Sequence, residues 1–290
     1  MIVIVALIVG AALLIVALAW WLLIKSEGVY LGRGVVIWLY DVYARRYDNI
    51  KQYDPYGEEH YLARPVLKRL LPVTAPLVLD VATGTGRLPL ALLEQPNFQG
   101  RVIGVDLSRR MLTVAAEKLT PHRDRAVLMH VPAEKLPFPD NTFDLVTCLE
   151  ALEFMMDQWA VLREMARVLR PGGLMVLTNR QGRDVRYMPG HIISHPEFER
   201  RLRQEIGLSH VYIQPWQIDY RLVWGIKIGQ SRPTGPRLLP EVWRCATCGE
   251  MQMIESTAGS ENGSGAWRCA ACGARIMTGA DGVIEGLRAT

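Results

Sequence analysis

The stretch Leu77-Val78-Leu79-Asp80-Val81-Ala82-Thr83-Gly84-Thr85-Gly86 runs from a short apolar segment with β-branched residues straight into a glycine-rich turn. Such a segment reads as a buried strand. Glycines after a strand let the backbone come close to a ligand, and a helix starting there offers unpaired N–H groups. A helical stretch does follow, Leu88 to Leu93. Downstream, Arg101-Val102-Ile103-Gly104-Val105-Asp106 reads as a second strand ending in an acid, and Met111 to Leu119 as a helix. Ala126 to His130, Asp144 to Cys148 and Leu174 to Thr178 read as three more strands. Gln158 to Leu169 is a helix that Pro171-Gly172-Gly173 would end, because proline cannot continue it and glycine supplies the turn. Glu197 to Ile206 follows as a helix, then Val211 to Ile218 and Arg221 to Ile228 as an antiparallel hairpin. This alternation predicts an α/β fold with a doubly wound parallel sheet covered on both faces. An acid ending the second strand can accept hydrogen bonds from both hydroxyls of a ribose. Asp80, the glycine turn and Asp106 therefore predict a nucleoside-binding crevice at the carboxyl ends of the strands.

The chain has 290 residues, about twice a typical domain of roughly 150. It is 50% hydrophobic and 21% charged, with a mean hydropathy of +0.10, which excludes a disordered or collagen-like chain. A net charge of +4 is too mild to announce a nucleic-acid binder. The apolar excess sits at the start. Ile2 to Ile24 carries no charge, holds Trp20 and Trp21 near its end and is closed by Lys25. About 20 apolar residues cross the ~30 Å hydrocarbon core as a helix, with tryptophans at the boundary, so residues 1–25 read as one transmembrane anchor. The rival readings are a cleaved signal peptide with Ala17-Leu18-Ala19 at its cleavage site, and a buried soluble helix, against which the lack of any polar face at helical spacing speaks. No Lys or Arg precedes the run, and it continues past that site, which favours the anchor. Lys25, Arg33, Arg45, Arg46 and Lys51 follow the span, placing the bulk of the chain on the cytoplasmic side of the cell membrane. Val35 to Tyr40 is a second apolar run, too short to span; it belongs either at the membrane surface or in the next domain.

Val78-Leu79-Asp80-Val81-Ala82-Thr83-Gly84-Thr85-Gly86 resembles motif I of class I S-adenosylmethionine-dependent methyltransferases, with Ala82 where many members have glycine. Val105-Asp106-Leu107-Ser108, with Met111 behind it, is similar to their acidic second motif. Three further stretches are similar to the ubiquinone/menaquinone-biosynthesis branch. These are Ala133-Glu134-Lys135-Leu136-Pro137-Phe138-Pro139-Asp140-Asn141-Thr142-Phe143-Asp144, Arg163-Glu164-Met165-Ala166-Arg167-Val168-Leu169-Arg170-Pro171-Gly172-Gly173, and Ala44-Arg45-Arg46-Tyr47-Asp48. The resemblance covers roughly residues 40 to 230 and implies a Rossmann-like methyltransferase sheet within a domain over 26–232, its core at 75–230.

The resemblance also implies roles. Asp80 and the turn Ala82, Thr83, Gly84, Thr85 and Gly86 would hold the amino-acid end of S-adenosylmethionine. Asp106 would bind the ribose, Leu107 and Met111 would pack the adenine, and Ala133 and Glu134 would line its rim. Cys148 or Leu149 would sit near the methionine part, and Tyr47 would cover the pocket. One departure stands out: this branch usually has an aspartate for the adenine amine where this chain has Pro132. Proline brings neither a carboxylate nor an N–H. A charge-assisted hydrogen bond is worth roughly 1.5–3 kcal/mol, so its loss corresponds to about tenfold weaker binding or more.

Methyl transfer needs in-line placement and a deprotonated nucleophile, so no motif reveals a catalytic base. Glu150 and Glu153 could act on an acceptor, or be solvated, or cap the next helix. Cys148 reads as a small buried residue rather than a nucleophile. His191 and His195 could face the acceptor or be surface residues, and Arg180, Arg183, Arg186 and Tyr187 lie in the segment expected to recognise it.

Ser231-Arg232-Pro233-Thr234-Gly235-Pro236 breaks the composition, and residues 233–240 read as a linker to a module over 241–290. There, Trp243-Arg244-Cys245-Ala246-Thr247-Cys248-Gly249 and Trp267-Arg268-Cys269-Ala270-Ala271-Cys272-Gly273 are near copies. Each Cys-x-x-Cys-Gly turn points two thiolates at one place, and four such sulfurs suit Zn²⁺ in preference to iron. The module resembles a small zinc ribbon or rubredoxin-like knuckle pair, with Ser256 to Gly265 a polar tip between two strands. The expectation is a membrane-anchored methyltransferase using S-adenosylmethionine on a lipophilic or membrane-bound acceptor, with a structural zinc ribbon. Two alternatives stay open: a degenerate scaffold whose ribbon binds a protein partner, and an RNA methyltransferase, against which the anchor and weak charge speak.

Overall fold

The computed structural model describes residues 1–256 and 265–286; the expected polar tip lies, at 257–264, outside them. The chain begins with α1 (Ile2–Trp20), which runs into one wider helical turn, Trp21–Lys25. Over Ile2–Lys25 this helix is 24 residues, about 36 Å at 1.5 Å per residue, and no residue of α1 is buried. It is long and apolar enough to cross a membrane. α2 (Arg33–Tyr43) follows, then the short α3 (Tyr47–Ile50) and α4 (Pro55–Glu58), and α5 (Arg64–Leu70). The apolar run at Val35 to Tyr40 thus folds as part of the domain. Its helix buries Val36 and Leu39 and leaves Trp38 exposed.

The sheet carries β1 (Leu77–Val81), β2 (Arg101–Asp106), β3 (Ala126–His130), β4 (Phe143–Cys148), β5 (Leu169–Arg180), β6 (Leu208–Trp216) and β7 (Tyr220–Lys227). Their order is β3-β2-β1-β4-β5-β7-β6. The first five strands are parallel and β7 inserts antiparallel between β5 and β6. Crossovers need helices, and α6 (Arg87–Leu93), α7 (Arg109–Lys118), α8 (Gln158–Val168) and α9 (His195–Gln204) occupy the gaps. Because side chains alternate along a strand, Leu77, Leu79 and Val81 face one core while Val78 faces the other. α5, α6 and α7 cover the second face; α8 and α9 cover part of the first.

The crossover from β3 to β4, residues 131–142, holds no helix. The C-terminal module fills that place. Its strands β8 (Met253–Ser256), β9 (Ala266–Cys269) and β10 (Arg275–Met277) form a small antiparallel sheet. Trp243, Met253, Ile276 and Ile284 share one buried cluster with Val105, Met129 and Phe138 of the main domain, and the Arg244 N–H donates to the Pro137 carbonyl at 2.9 Å. The module therefore completes the core of the larger domain.

Two details differ from the sequence reading. The helix read over Gln158 to Leu169 ends at Val168, but the strand read from Leu174 begins at Leu169, so Pro171-Gly172-Gly173 already lie in β5. Leu169 pairs with Phe143, and the Arg170 guanidinium reaches the Asp144 carboxylate at 2.6 Å, so contacts distant in sequence pull the chain straight earlier. The stretch read as a linker is also tied down at its start. Asp144, fully buried, accepts hydrogen bonds from the N–H groups of Leu77 (2.9 Å), Thr234 (2.9 Å) and Gly235 (3.2 Å) besides Arg170. A buried carboxylate costs several kcal/mol unless so surrounded, which makes Asp144 the clasp between sheet and module.

Candidate functional site

A doubly wound sheet opens a crevice where its order reverses, outside the carboxyl ends of the strands. Here that point lies between β1 and β4. After β1 the chain turns through Ala82 (φ +55°), Gly84 (φ +54°) and Gly86 (φ +75°). Ala82 adopts the left-handed region that favours glycine, a local strain the surrounding turn must hold. A Cβ on Gly84 would meet nothing within 4 Å, so its backbone faces open space. One on Gly86 would approach the Cβ of Ala115 to 3.2 Å, so this glycine serves the contact between α6 and α7.

Asp106 ends β2 beside that turn. Its carboxylate accepts from the N–H of Gly84 at 2.8 Å and of Ser108 at 2.7 Å. Burial pushes its pKa up, opposed by these N–H donors. Ser108 then caps α7, accepting from the Met111 N–H at 3.2 Å and donating to Asp41 at 2.6 Å. Asp80 lies deeper, accepting from the hydroxyls of Thr147 (2.5 Å) and Thr83 (2.7 Å), and burial raises it to about 6. It braces the turn from beneath. A carboxyl whose folded pKa exceeds its ordinary 3.8 stabilises the fold most below that value, and this contribution is lost as pH rises through about 6. Asp80→Asn, which keeps the size and bonds to both hydroxyls, should therefore exceed the parent in denaturant unfolding at about pH 7.5, by up to about 3 kcal/mol. The difference should shrink to nothing near pH 4; a gap that grew on acidification would contradict the assignment.

A cavity open to solvent lies at this corner. Tyr47, Ala82, Gly84, Asp106, Leu107, Met111, Ala133, Glu134 and Leu149, all singled out from sequence, line it. Behind Ala82 and Gly84 a smaller cavity is lined by Asp80, Thr83 and Thr85 and shares Tyr47, Ala82, Gly84, Leu149 and Glu150 with the first. Gly86 lines neither, and Cys148 is wholly enclosed, its thiol pushed well up by burial.

Sequence reasoning missed the outer wall. Arg33, Val36, Ile37 and Tyr40 of α2 close the cavity opposite Asp106, with Phe154, Met155 and Met156 beside them. Tyr40 stacks edgewise on Phe154 (5.6 Å) and lies against Tyr47 (5.9 Å). The signal was the apolar stretch at Val35 to Tyr40, whose helical spacing turns one face inward.

Charge is concentrated at the rim. Arg33 pairs with Glu134, whose other oxygen, Oε2, is buried and has no hydrogen-bond partner among the described residues. Glu150 meets Lys51 at 2.8 Å and Arg87 at 3.6 Å, and Arg87 also pairs with Glu58. Glu153 accepts from the Tyr220 hydroxyl at 2.7 Å and faces Arg180 at 3.5 Å; burial raises its pKa. Neither acid is solvated or a helix cap, since Asp157 caps α8. His195 shares a hydrogen bond with Asn179 at 2.8 Å, and His191 stacks edgewise on Tyr30 at 5.2 Å; neither lines the cavity. Arg180 is spanned by Glu27 and Glu153, and Lys25 lies over Tyr187 at 5.2 Å, so the segment after β5 meets the end of the apolar helix.

In the module, Cys245 Sγ lies 3.7 Å from Cys272 Sγ and Cys248 Sγ 3.6 Å from Cys269 Sγ; all four sulfurs are within 4.8 Å of one another. Sulfurs at about 2.3 Å from a tetrahedral metal stand about 3.8 Å apart, so the set fits one ion. The distances are far beyond the ~2.05 Å of a disulfide.

Residues 79–177 match the methyltransferase domain family. A ubiquinone/menaquinone biosynthesis C-methyltransferase of Geobacter sulfurreducens is 35% identical over 136 residues, 46% of this chain and 53% of that protein. A demethylmenaquinone methyltransferase of Bacillus licheniformis is 45% identical over 98 residues, 34% and 42% of the two chains. The chain spans about half the length of the curated relatives it matches. Among solved structures, an S-adenosylmethionine-dependent methyltransferase from Aquifex aeolicus aligns with TM-score 0.51 at 24% identity, over 61% of this chain and 96% of that one. The [4+2]-cyclase SpnF aligns with TM-score 0.50 at 20% identity, over 58% and 81%. These likenesses show the fold, and a cyclase among them shows that the fold does not dictate the reaction.

Proposed function

We propose that this chain, which carries a class I S-adenosylmethionine-dependent methyltransferase domain of the ubiquinone/menaquinone branch, transfers the donor's methyl group to a lipophilic acceptor at a membrane surface. The observation that carries the reading is Asp106, a half-buried carboxylate at the end of β2, lining a cavity beside the open Gly84 backbone. A carboxylate there suits a ribose diol. The residues present fit the rest of the donor. Leu107, Met111 and Val131 offer apolar walls for adenine, and the partnerless Glu134 Oε2 offers an acceptor for its amine in place of the carboxylate that Pro132 lacks.

When bound, the donor supplies an electrophilic methyl on a sulfonium. That methyl would be available to a nucleophilic atom of the acceptor, with the sulfur retaining the bonding electron pair and the acceptor losing a proton. The chain's own contribution is placement and the exclusion of water. Tyr40, Tyr47 and Phe154 roof the cavity, while Met155 and Met156 widen it with apolar surface suited to a lipophilic acceptor. The apolar helix ends next to this roof: Glu27, two residues past its end, accepts from the Tyr40 hydroxyl at 3.3 Å, and Trp21 stacks on Tyr30 at 5.2 Å. Leu31, Trp38, Val42 and Met156 are exposed apolar side chains in this part of the chain or lining the cavity. This supports a helix anchored in the cell membrane, the cavity at its cytoplasmic face, and an acceptor taken from lipid. The four cysteines would hold zinc as a structural ion.

The test is to incubate the full chain, in the membranes that produce it, with donor labelled in the methyl group. Label in an extracted lipid supports the reading. Label in protein alone would move the acceptor to a membrane protein, and no transfer to either would remove the enzyme reading.

A further inference from the structure

After β10 the chain runs beside β3, and Gly286 lies against Val131, a residue that lines the cavity. Ile284 lies along β3, its N–H donating to the Leu128 carbonyl at 2.9 Å while its carbonyl accepts from the His130 N–H at 2.8 Å. The tail thus extends the open edge of the main sheet toward its carboxyl end. At that end the Glu285 carboxylate meets both His130 Nδ1, at 3.2 Å, and the Arg109 guanidinium. The other ring nitrogen of His130 lies 3.0 Å from the Leu107 carbonyl. Arg109 also holds Asp281 through two parallel bonds of 2.8 Å. Leu107 and Ser108 line the cavity, and the Ser108 N–H is one of the two donors that fix Asp106.

We propose that Glu285 and Asp281, through His130 and Arg109, are positioning residues for the loop Leu107–Arg109, so that the C-terminal module sets how firmly Asp106 is presented to the methyl donor. The inference rests on the donor-binding reading above for its consequence, but not for the brace itself. A carboxylate that must meet two hydroxyls at once gains from a loop already in place, because less freedom is lost on binding. Without Glu285 the His130 ring loses one of its two partners and Arg109 one of its two carboxylates. The Leu107 carbonyl and the start of α7 then rest on weaker supports. None of these groups touches the donor site in the way Asp106 does, so their effect reaches it through the backbone.

The experiment compares the full chain with Glu285→Ala, Glu285→Gln, Arg109→Ala and the control Asp140→Ala, which breaks a 2.7 Å ion pair with Arg167. Two readouts are taken: Kd for S-adenosylhomocysteine by calorimetry, and amide hydrogen exchange along the chain. Glu285→Ala and Arg109→Ala should weaken binding about fivefold and speed exchange selectively at Leu107–Arg109. Glu285→Gln, which keeps an acceptor, should recover part of both, and Asp140→Ala should change neither. Unchanged exchange at Leu107–Arg109 in Glu285→Ala, or acceleration spread evenly over the domain, would overturn the brace. If the parent bound no S-adenosylhomocysteine, the donor reading would fall while exchange still decided the brace.

Discussion

Asp106→Ala is expected to weaken binding of S-adenosylhomocysteine at least about a hundredfold, the largest effect of any single side chain in the cavity. Two charge-assisted hydrogen bonds to a ribose, at roughly 1.5–3 kcal/mol each, account for a factor of that order. A second loss acts in the same direction. The N–H groups of Gly84 and Ser108 both donate to this carboxylate, so alanine strips the turn and the α7 cap of their common acceptor. Asp106→Asn separates the two losses, because its one oxygen can satisfy a single N–H and its amide can still donate to a hydroxyl. Its affinity should fall between parent and alanine. Calorimetry at matched protein concentration, with melting curves to confirm folding, measures both variants. Parent-like affinity in a folded Asp106→Ala protein would refute the assignment of this cavity to a nucleoside.

Removing metal from the cysteine cluster should lower the melting temperature by about 8–16 °C. The module is short, and its apolar residues complete the large core instead of forming one of their own. Structural zinc in small fingers carries apparent binding free energies of about 10–16 kcal/mol. Part of that would be retained here because Trp243 and Ile284 stay packed on the sheet, yet a net loss of about 4 kcal/mol already gives the stated shift in a domain this large. Cys269→Ser should act like chelation, since Cys269 is fully buried within the shared cluster. Trp243, fully enclosed and set edgewise on Trp267 at 5.3 Å, supplies an optical reporter: its emission should move to the red as the module loosens. Metal analysis of the purified chain identifies the ion. Unchanged melting after proven removal of the ion would show that the module is held by packing alone.

Much of the fold was legible because its signals are local. The strands at Leu77–Val81, Arg101–Asp106 and Ala126–His130 are short apolar runs bounded by turns, and their limits coincide with the sequence reading. The cysteine pairs were legible for the same reason, since each knuckle is closed within five residues by a glycine, Gly249 (φ +80°) and Gly273 (φ +78°), in the left-handed region. Less local features were misread. The strand after Pro171-Gly172-Gly173 reads in the sequence as starting at Leu174, but pairing of Leu169 with Phe143 starts it before that turn chemistry. Glu150 and Glu153 read as candidates for solvent, and only the approach of Lys51, Arg87, Arg180 and Tyr220 from distant segments makes them buried partners.

By itself, the sequence determined the strand–helix alternation, the acid at the end of β2, the apolar N-terminal helix and the pairing of cysteines, all of which depend on residues a few positions apart. The tertiary structure alone decided that α2 closes the cavity and that the C-terminal module replaces a missing crossover helix. It also decided that Glu285 reaches the loop beside Asp106. Those outcomes depend on which apolar faces remain uncovered once the sheet has formed; periodicity marks an apolar face, as in α2, but does not say which surface it will meet.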